Sequence, residues 1–205
     1  MPSFRSDAEA EIRDAVVAKL RLIRPHARII HEINCQQGGN RMDLIAVSPA
    51  EIIAVEIKSR KDKLTRLPAQ ITAMRGASHH VIAALHEKFL VAHRWRETWL
   101  DAPAEALGAT VWAFPETDKG RSFSCGPWAL HGAVQAYSLP GEAIHMLWHA
   151  ELVGLCSTLG VPVKKRPTMR DMTMALRWNC TGKDLTHGIC AALRARASIE
   201  ADPPC

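Results

Sequence analysis

Residues 40–70 read NRMDLIAVSPAEIIAVEIKSRKDKLTRLPAQ, and the fold follows from how this stretch is parsed. Two short apolar runs, MDLIAV from Met42 and IIAVEIK from Ile52, flank Ser48-Pro49-Ala50-Glu51, and Pro49 presets the backbone angle required early in a tight turn. The stretch predicts a β-hairpin. With Val47 opposite Ile52, the constant sum of paired positions in an antiparallel ladder sets Ile45 against Ala54 and Asp43 against Glu56. Two carboxylates then face each other, which destabilises a sheet unless a cation sits between them. Lys58, two residues beyond Glu56, shares its face of the strand. Hard oxygen donors of this kind suit a divalent ion such as magnesium. An ion held there would bind a phosphate while Lys58 positions, or helps deprotonate, an attacking water.

Asp43 followed by Glu56-Ile57-Lys58 on the next strand is the D…ExK arrangement. On these residues the chain resembles the PD-(D/E)XK nuclease superfamily, with Met42 where the name has Pro. EIKSRKDKLTRLPAQ resembles a branch, often phage-borne, in which the metal strand runs on into a Leu-Pro-x-Gln segment. The resemblance covers about residues 8–89, and the later chain only faintly. It implies a restriction-endonuclease-like α/β fold, a mixed central sheet flanked by helices in the order αβββαβ. It also implies roles: Asp43, Glu56 and the Ile57 carbonyl on Mg2+ (Mn2+ substituting), Lys58 assisting the nucleophile, and Gln70 orienting water or phosphate. Two further acids are candidates through the same likeness. Glu11 stands on the first helix, where several branches carry an acid that reaches the metal, or is a solvated first-turn charge. Glu32 is a third ligand or a strand-end surface charge.

Composition bounds the alternatives. The chain has 205 residues, 47% of them hydrophobic and 23% charged, enough for one medium domain and a small appendage. A formal charge of +5 suits a polyanionic partner without deciding for one. The cysteines, at 35, 125, 156, 180, 190 and 205, form no CxxC pair and no zinc-like spacing with histidine, so reduced, mostly buried thiols are expected. The N-terminal segment is acidic where a signal peptide needs its apolar core, and no apolar run reaches membrane-spanning length. The expected setting is the cytoplasm of a bacterium or of a phage-infected cell.

Around the hairpin the remaining elements fall into place. Ser6-x-x-Glu9 fits a capping box, and Ile12, Val16, Leu20 and Ile23 form one helical face that ends at Pro25. Residues 26–33 predict a strand beside the hairpin, and residues 36–40 a polar, glycine-rich loop next to the paired acids. Residues 59–63 form a basic loop leaving the Glu56 strand, so Arg41, Arg60, Lys61, Lys63 and Arg66 are candidates for phosphate contact. Pro68 suits a first helical turn, which predicts a helix over 68–75 carrying Gln70 near its anion-favouring end. Strands are expected over 80–85 and 108–114, and a helix over 87–100 in which Arg94, Trp95, Arg96 and Trp99 are core or a base-stacking surface. Residues 116–140 carry turn signals and no legible chemistry.

From residue 141 the pattern is helical. Residues 142–159 predict one helix ending at Gly160, and Thr168-x-x-Asp171 and Thr181-x-x-Asp184 each open another. The chain is thus read as a nuclease-like domain over 1–140 and a helical region over 141–205, either a packing appendage or a helix-turn-helix-like module. Only the tail from Asp202 looks disordered. Two functions follow: a Mg2+-dependent deoxyribonuclease serving phage DNA processing, repair or recombination, or a non-catalytic nucleic-acid-binding accessory protein of the same fold. A homodimer would suit palindromic or branched DNA.

Overall fold

The computed structural model describes residues 7–35, 40–92, 94–95, 100–114 and 139–205. The hairpin is its centre. Strands β2 (Arg41–Ser48) and β3 (Glu51–Lys58) pair antiparallel with Val47 opposite Ile52 and Ile45 opposite Ala54. Ser48 pairs with Glu51, so Pro49-Ala50 is the turn. β1 (Arg28–Asn34) adds antiparallel to β2. A crossover through α2 (Leu67–Arg75) brings β4 (His80–His86) parallel to β3, and β7 (Thr110–Phe114) extends the sheet parallel to β4. The result is a five-stranded mixed sheet in the order β1-β2-β3-β4-β7, flanked by helices.

Each face of the sheet has its own cover. Ile12, Val16 and Leu20 of α1 (Asp7–Ile23) pack on Leu44, Val55, Ile82 and Trp112. Ser6 of the predicted capping box lies outside the described residues. The opposite face, with Ile45, Ile52, Ala54 and Val81, meets Leu67, Ile71 and Met74 of α2 and also Leu152, Leu176, Ile189 and Leu193. Those last four come from α3 (His149–Thr158), α4 (Met169–Asn179) and α5 (Gly182–Ala195), which thus share the sheet's core. Both Thr-x-x-Asp capping boxes are formed, Thr168 with Asp171 and Thr181 with Asp184. No helix among the described residues is long and apolar enough to cross a membrane.

Three expectations are corrected. The described residues of 87–100 do not make a helix: a 3₁₀ turn (Glu87–Phe89) leads into β5 (Val91–Ala92), which pairs with β6 (Leu100–Asp101). The His86 imidazole accepts the Lys88 amide, and Phe89 and Leu90 pack partly on the core while Val91 and Ala92, next in the chain, are exposed in β5. Arg96 and Trp99 lie outside the described residues, as do residues 36–39, Cys125 and most of 116–140. The predicted helix over 142–159 is two pieces, a 3₁₀ stretch (Gly141–Met146) and α3. Glu151 accepts the Trp148 amide at 2.7 Å while Arg196 holds both the Glu151 carboxylate and the Met146 carbonyl, so the chain is pinned open at the joint. The tail is tied down: Ala201 bridges Ile30, and the Asp202 carboxylate accepts the Ile29 amide at 3.0 Å. Buried Arg28 donates to the Leu193, Arg194 and Asp202 carbonyls, satisfying the end of α5 and closing part of the open edge of β1. The cysteines described are free, with Cys35, Cys156 and Cys190 buried.

Candidate metal centre and nucleic-acid cavity

The antiparallel ladder stops short of the two acids. Regular pairing ends at Leu44 opposite Val55, and at the next step the Asp43 carboxylate accepts the Ile57 amide at 2.7 Å. A slip in strand phase permits this. Ile30 and Ile33 reach the same core, as do Met42 and Ile45, so each pair is three residues apart where regular alternation allows only even spacings. Glu32 lies at the slip with φ of 55°, a left-handed conformation costing a non-glycine residue about 1–2 kcal/mol. Its carboxylate is held by Arg13 at 3.1 Å and Arg41 at 2.7 Å. Those ion pairs keep the kink in place.

Asp43, Glu56, Ile57, Lys58 and Gln70 all line one cavity of about 460 Å³. β2 supplies the first, β3 the next three, and α2 the last. Lys58 Nζ lies 2.6 Å from Glu56 Oε1, and the Gln70 amide donates to the same oxygen. Glu56 Oε2 and Gln70 Oε1 are buried without a hydrogen-bond partner. Burial, and then the neighbouring Asp43 charge, push Glu56 up to about 7, against the pull of Lys58 and Gln70. Burial also raises Asp43, opposed by the Ile57 amide and by the Arg13 and Lys58 charges. One oxygen of this buried carboxylate accepts two hydrogen bonds and the other none, so an acceptor is left unmet in the interior.

The residues present fit a hard divalent cation. Glu56 Oε2, the Asp43 carboxylate and the backbone of Ile57 offer oxygen donors in residues that line one cavity, the chemistry that magnesium or manganese takes. Among the described residues, no group of three or more His, Cys, Asp and Glu side chains gathers as a metal cluster.

The other candidates divide. Arg41, Lys63 and Arg66 line the cavity. Arg60 and Lys61 are exposed outside its wall, on a loop fixed by Ser59, whose amide and hydroxyl each reach Asp62 Oδ2 at 2.7 Å. Glu11 is exposed on α1, and the acid of that helix at the cavity is Glu9, which two residues of helical rotation turn to the opposite side. Glu32 lines a neighbouring cavity of about 410 Å³ with His31 and Met169, its carboxylate taken by Arg13 and by Arg41 of the metal wall.

One residue at the centre went unread in the sequence. Arg13 is 2% exposed and donates to the Asp43 carbonyl at 2.8 Å, to Glu9 at 2.8 Å and to Glu32 at 3.1 Å. It fastens α1 to both slipped strands behind Asp43. The signal was present: Arg13, Val16 and Leu20 stand at i, i+3, i+7, so the helix pattern places an arginine on its buried face.

Fold and site together define a mixed α/β protein with a buried carboxylate–lysine cavity in its central hairpin. Over residues 3–95, less than half of its length, the chain is similar to a family described as Bacteriophage P4 protein cII, which points to a phage-borne protein. That stretch includes α1, the hairpin, the cavity wall and α2. No curated protein and no solved structure matches the chain.

Proposed function

We propose that this protein is a metal-dependent deoxyribonuclease of restriction-endonuclease-like fold, acting on phage or host DNA in the cytoplasm of the infected cell. The observation that carries the reading is the convergence of Asp43, Glu56 and Lys58 in one open, polar cavity with a Glu56 oxygen left bare. The order α1-β1-β2-β3-α2-β4 agrees with that fold, and the similarity to a phage family agrees with the setting.

Asp43, Glu56 and the Ile57 carbonyl would hold Mg2+ or Mn2+. When bound, such an ion supplies polarisation of the scissile phosphate and a more acidic water. The protein's own groups do the rest. Lys58, now occupied by Glu56, orients the attacking water and offsets charge growing on the phosphorane. Gln70, near the start of α2, has a bare amide oxygen to accept a hydrogen bond from that water and so orient it. Arg41, Lys63 and Arg66 on the cavity wall hold the flanking phosphates, and Arg60 and Lys61 extend the track along the loop. The products are a 5′-phosphate and a 3′-hydroxyl.

A screen of single-stranded, duplex, nicked and branched DNA, with and without Mg2+ or Mn2+, tests the proposal. Wild type is expected to cut at least one form only when metal is present, and Lys58→Ala to lose roughly 100-fold or more of that rate. Absence of cutting on every form would favour the accessory-protein reading, in which Asp43→Ala and Lys58→Ala leave DNA binding unchanged.

A further inference from the structure

Besides the basic loop that follows the hairpin, a second concentration of positive charge lies far along the sequence. Residues 163–184 contain six lysines and arginines against two aspartates, in a chain whose whole formal charge is +5. Both aspartates are already engaged. Asp171 Oδ2 accepts the Thr168 amide and ion-pairs with Lys164, each at 2.7 Å, and Asp184 accepts the Thr181 amide at 3.1 Å. Arg177 is held by Glu142 at 3.1 Å. Lys165, Arg166 and Arg170 form no ion pair with an acid among the described residues, and all three are exposed, as is Lys183 beside Asp184.

Helix α4 turns an unusual face to solvent. Met172, Thr173 and Leu176 are buried, whereas Arg170, Met174, Arg177 and Trp178, at i, i+4, i+7 and i+8, form one outward stripe. Trp178 is 91% exposed and Met174 60%. An indole ring lying open among cations offers a π-face to any unstacked base, while the cations neutralise its phosphates. A duplex keeps its base faces inside the stack, so this surface fits unpaired strands.

We propose that the outer face of α4, with the basic loop before it, binds single-stranded nucleic acid: Trp178 stacks on a base, and Lys165, Arg166 and Arg170 contact phosphates. The surface uses none of the cavity residues and does not rest on cleavage.

The test is a fluorescence-anisotropy titration of the full chain, in EDTA, against a short fluorescein-labelled single strand and against the same sequence as a duplex. Wild type is expected to prefer the single strand. Trp178→Ala should weaken that binding about tenfold or more, Trp178→Phe should keep most of it, and both should melt like wild type because the ring supports no core. Replacing Lys165, Arg166 and Arg170 by Gln should reduce the dependence of log Kd on log salt by about 2. Three results would overturn the proposal: no single-strand binding or a preference for duplex, unchanged affinity in Trp178→Ala, or sedimentation showing that Trp178→Ala turns a dimer into a monomer. The last would make the face a contact between two copies of the chain.

Discussion

The hairpin half and the C-terminal helices handle charge in opposite ways. Around the hairpin, Arg13, Glu51, Glu56 and Lys58 are buried, with Glu32 and Asp43 partly so, in the part of the sheet where apolar packing would be most stabilising. In the helices from His149 onward, most charges stand at the surface or close capping boxes, the Arg196–Glu151 pair at the joint being the buried exception, and the interior is Leu152, Leu176, Ile189 and Leu193. Buried charge costs folding free energy unless every partner is in place, and Glu56 lacks one. The helices stabilise the sheet; the hairpin gives up stability to keep two acids and an amine together.

Breaking the buried network should have the largest effect on stability. Arg13→Ala leaves Glu9 and Glu32 without their shared guanidinium, and a loss of about 3–5 kcal/mol in urea-denaturation free energy is expected. A loss no greater than that of an exposed control such as Arg170→Ala would mean that the two regions do not differ as described.

Next comes the pH response of Glu56. Its folded pKa of about 7 exceeds the ordinary 4.5, so the folded chain holds this proton more tightly than the unfolded one. Its contribution is complete below about pH 4.5 and is lost as pH rises toward 7. Glu56→Gln should therefore stabilise the metal-free protein at pH 8 by about 2 kcal/mol and do little at pH 4. Thermal melts across that window check the sign. Glu51 behaves oppositely: burial alone would raise it, but the neighbouring His80 ring and the hydrogen-bonded Arg24 outweigh that and bring it down to about 2. Its contribution is present above about pH 4.5 and fades as pH falls toward 2, so Glu51→Gln should destabilise at neutral pH and not at pH 2.

The smallest effects belong to the helices. Thr168→Ala or Thr181→Ala removes one capping oxygen and should lower Tm by about 2–4 °C, with no change in any cavity property. A Thr168→Ala variant that altered metal binding at the cavity would show the two regions to be coupled.

Much of the hairpin half could be read from the sequence because its signals are local. Pro49 fixes the turn, the turn fixes the register, and a period of two then places Glu56 and Lys58 together. The capping boxes of α4 and α5 were legible for the same reason. What escaped depended on partners distant in the chain. The left-handed Glu32 that slips two strands is held by Arg13 and Arg41, and nothing in RIIHEIN marks it. The slip decides that Glu32 faces its arginines and that Asp43 takes the Ile57 amide. Glu9 was recoverable through its i, i+4 spacing to Arg13. The break at Trp148 depends on Arg196, nearly fifty residues later, and has no local cue beyond Glu151 three positions on.

The account depends on the bare Glu56 oxygen and the neighbouring Asp43 carboxylate forming a divalent-cation site. Calorimetric titration of Mn2+ into the metal-free protein at pH 8 tests this most directly. The expected result is stoichiometric binding in wild type, weakened roughly tenfold or more in both Glu56→Gln and Asp43→Asn and unchanged in Glu11→Gln. Equal binding by Glu56→Gln and wild type, or none by wild type, would contradict it.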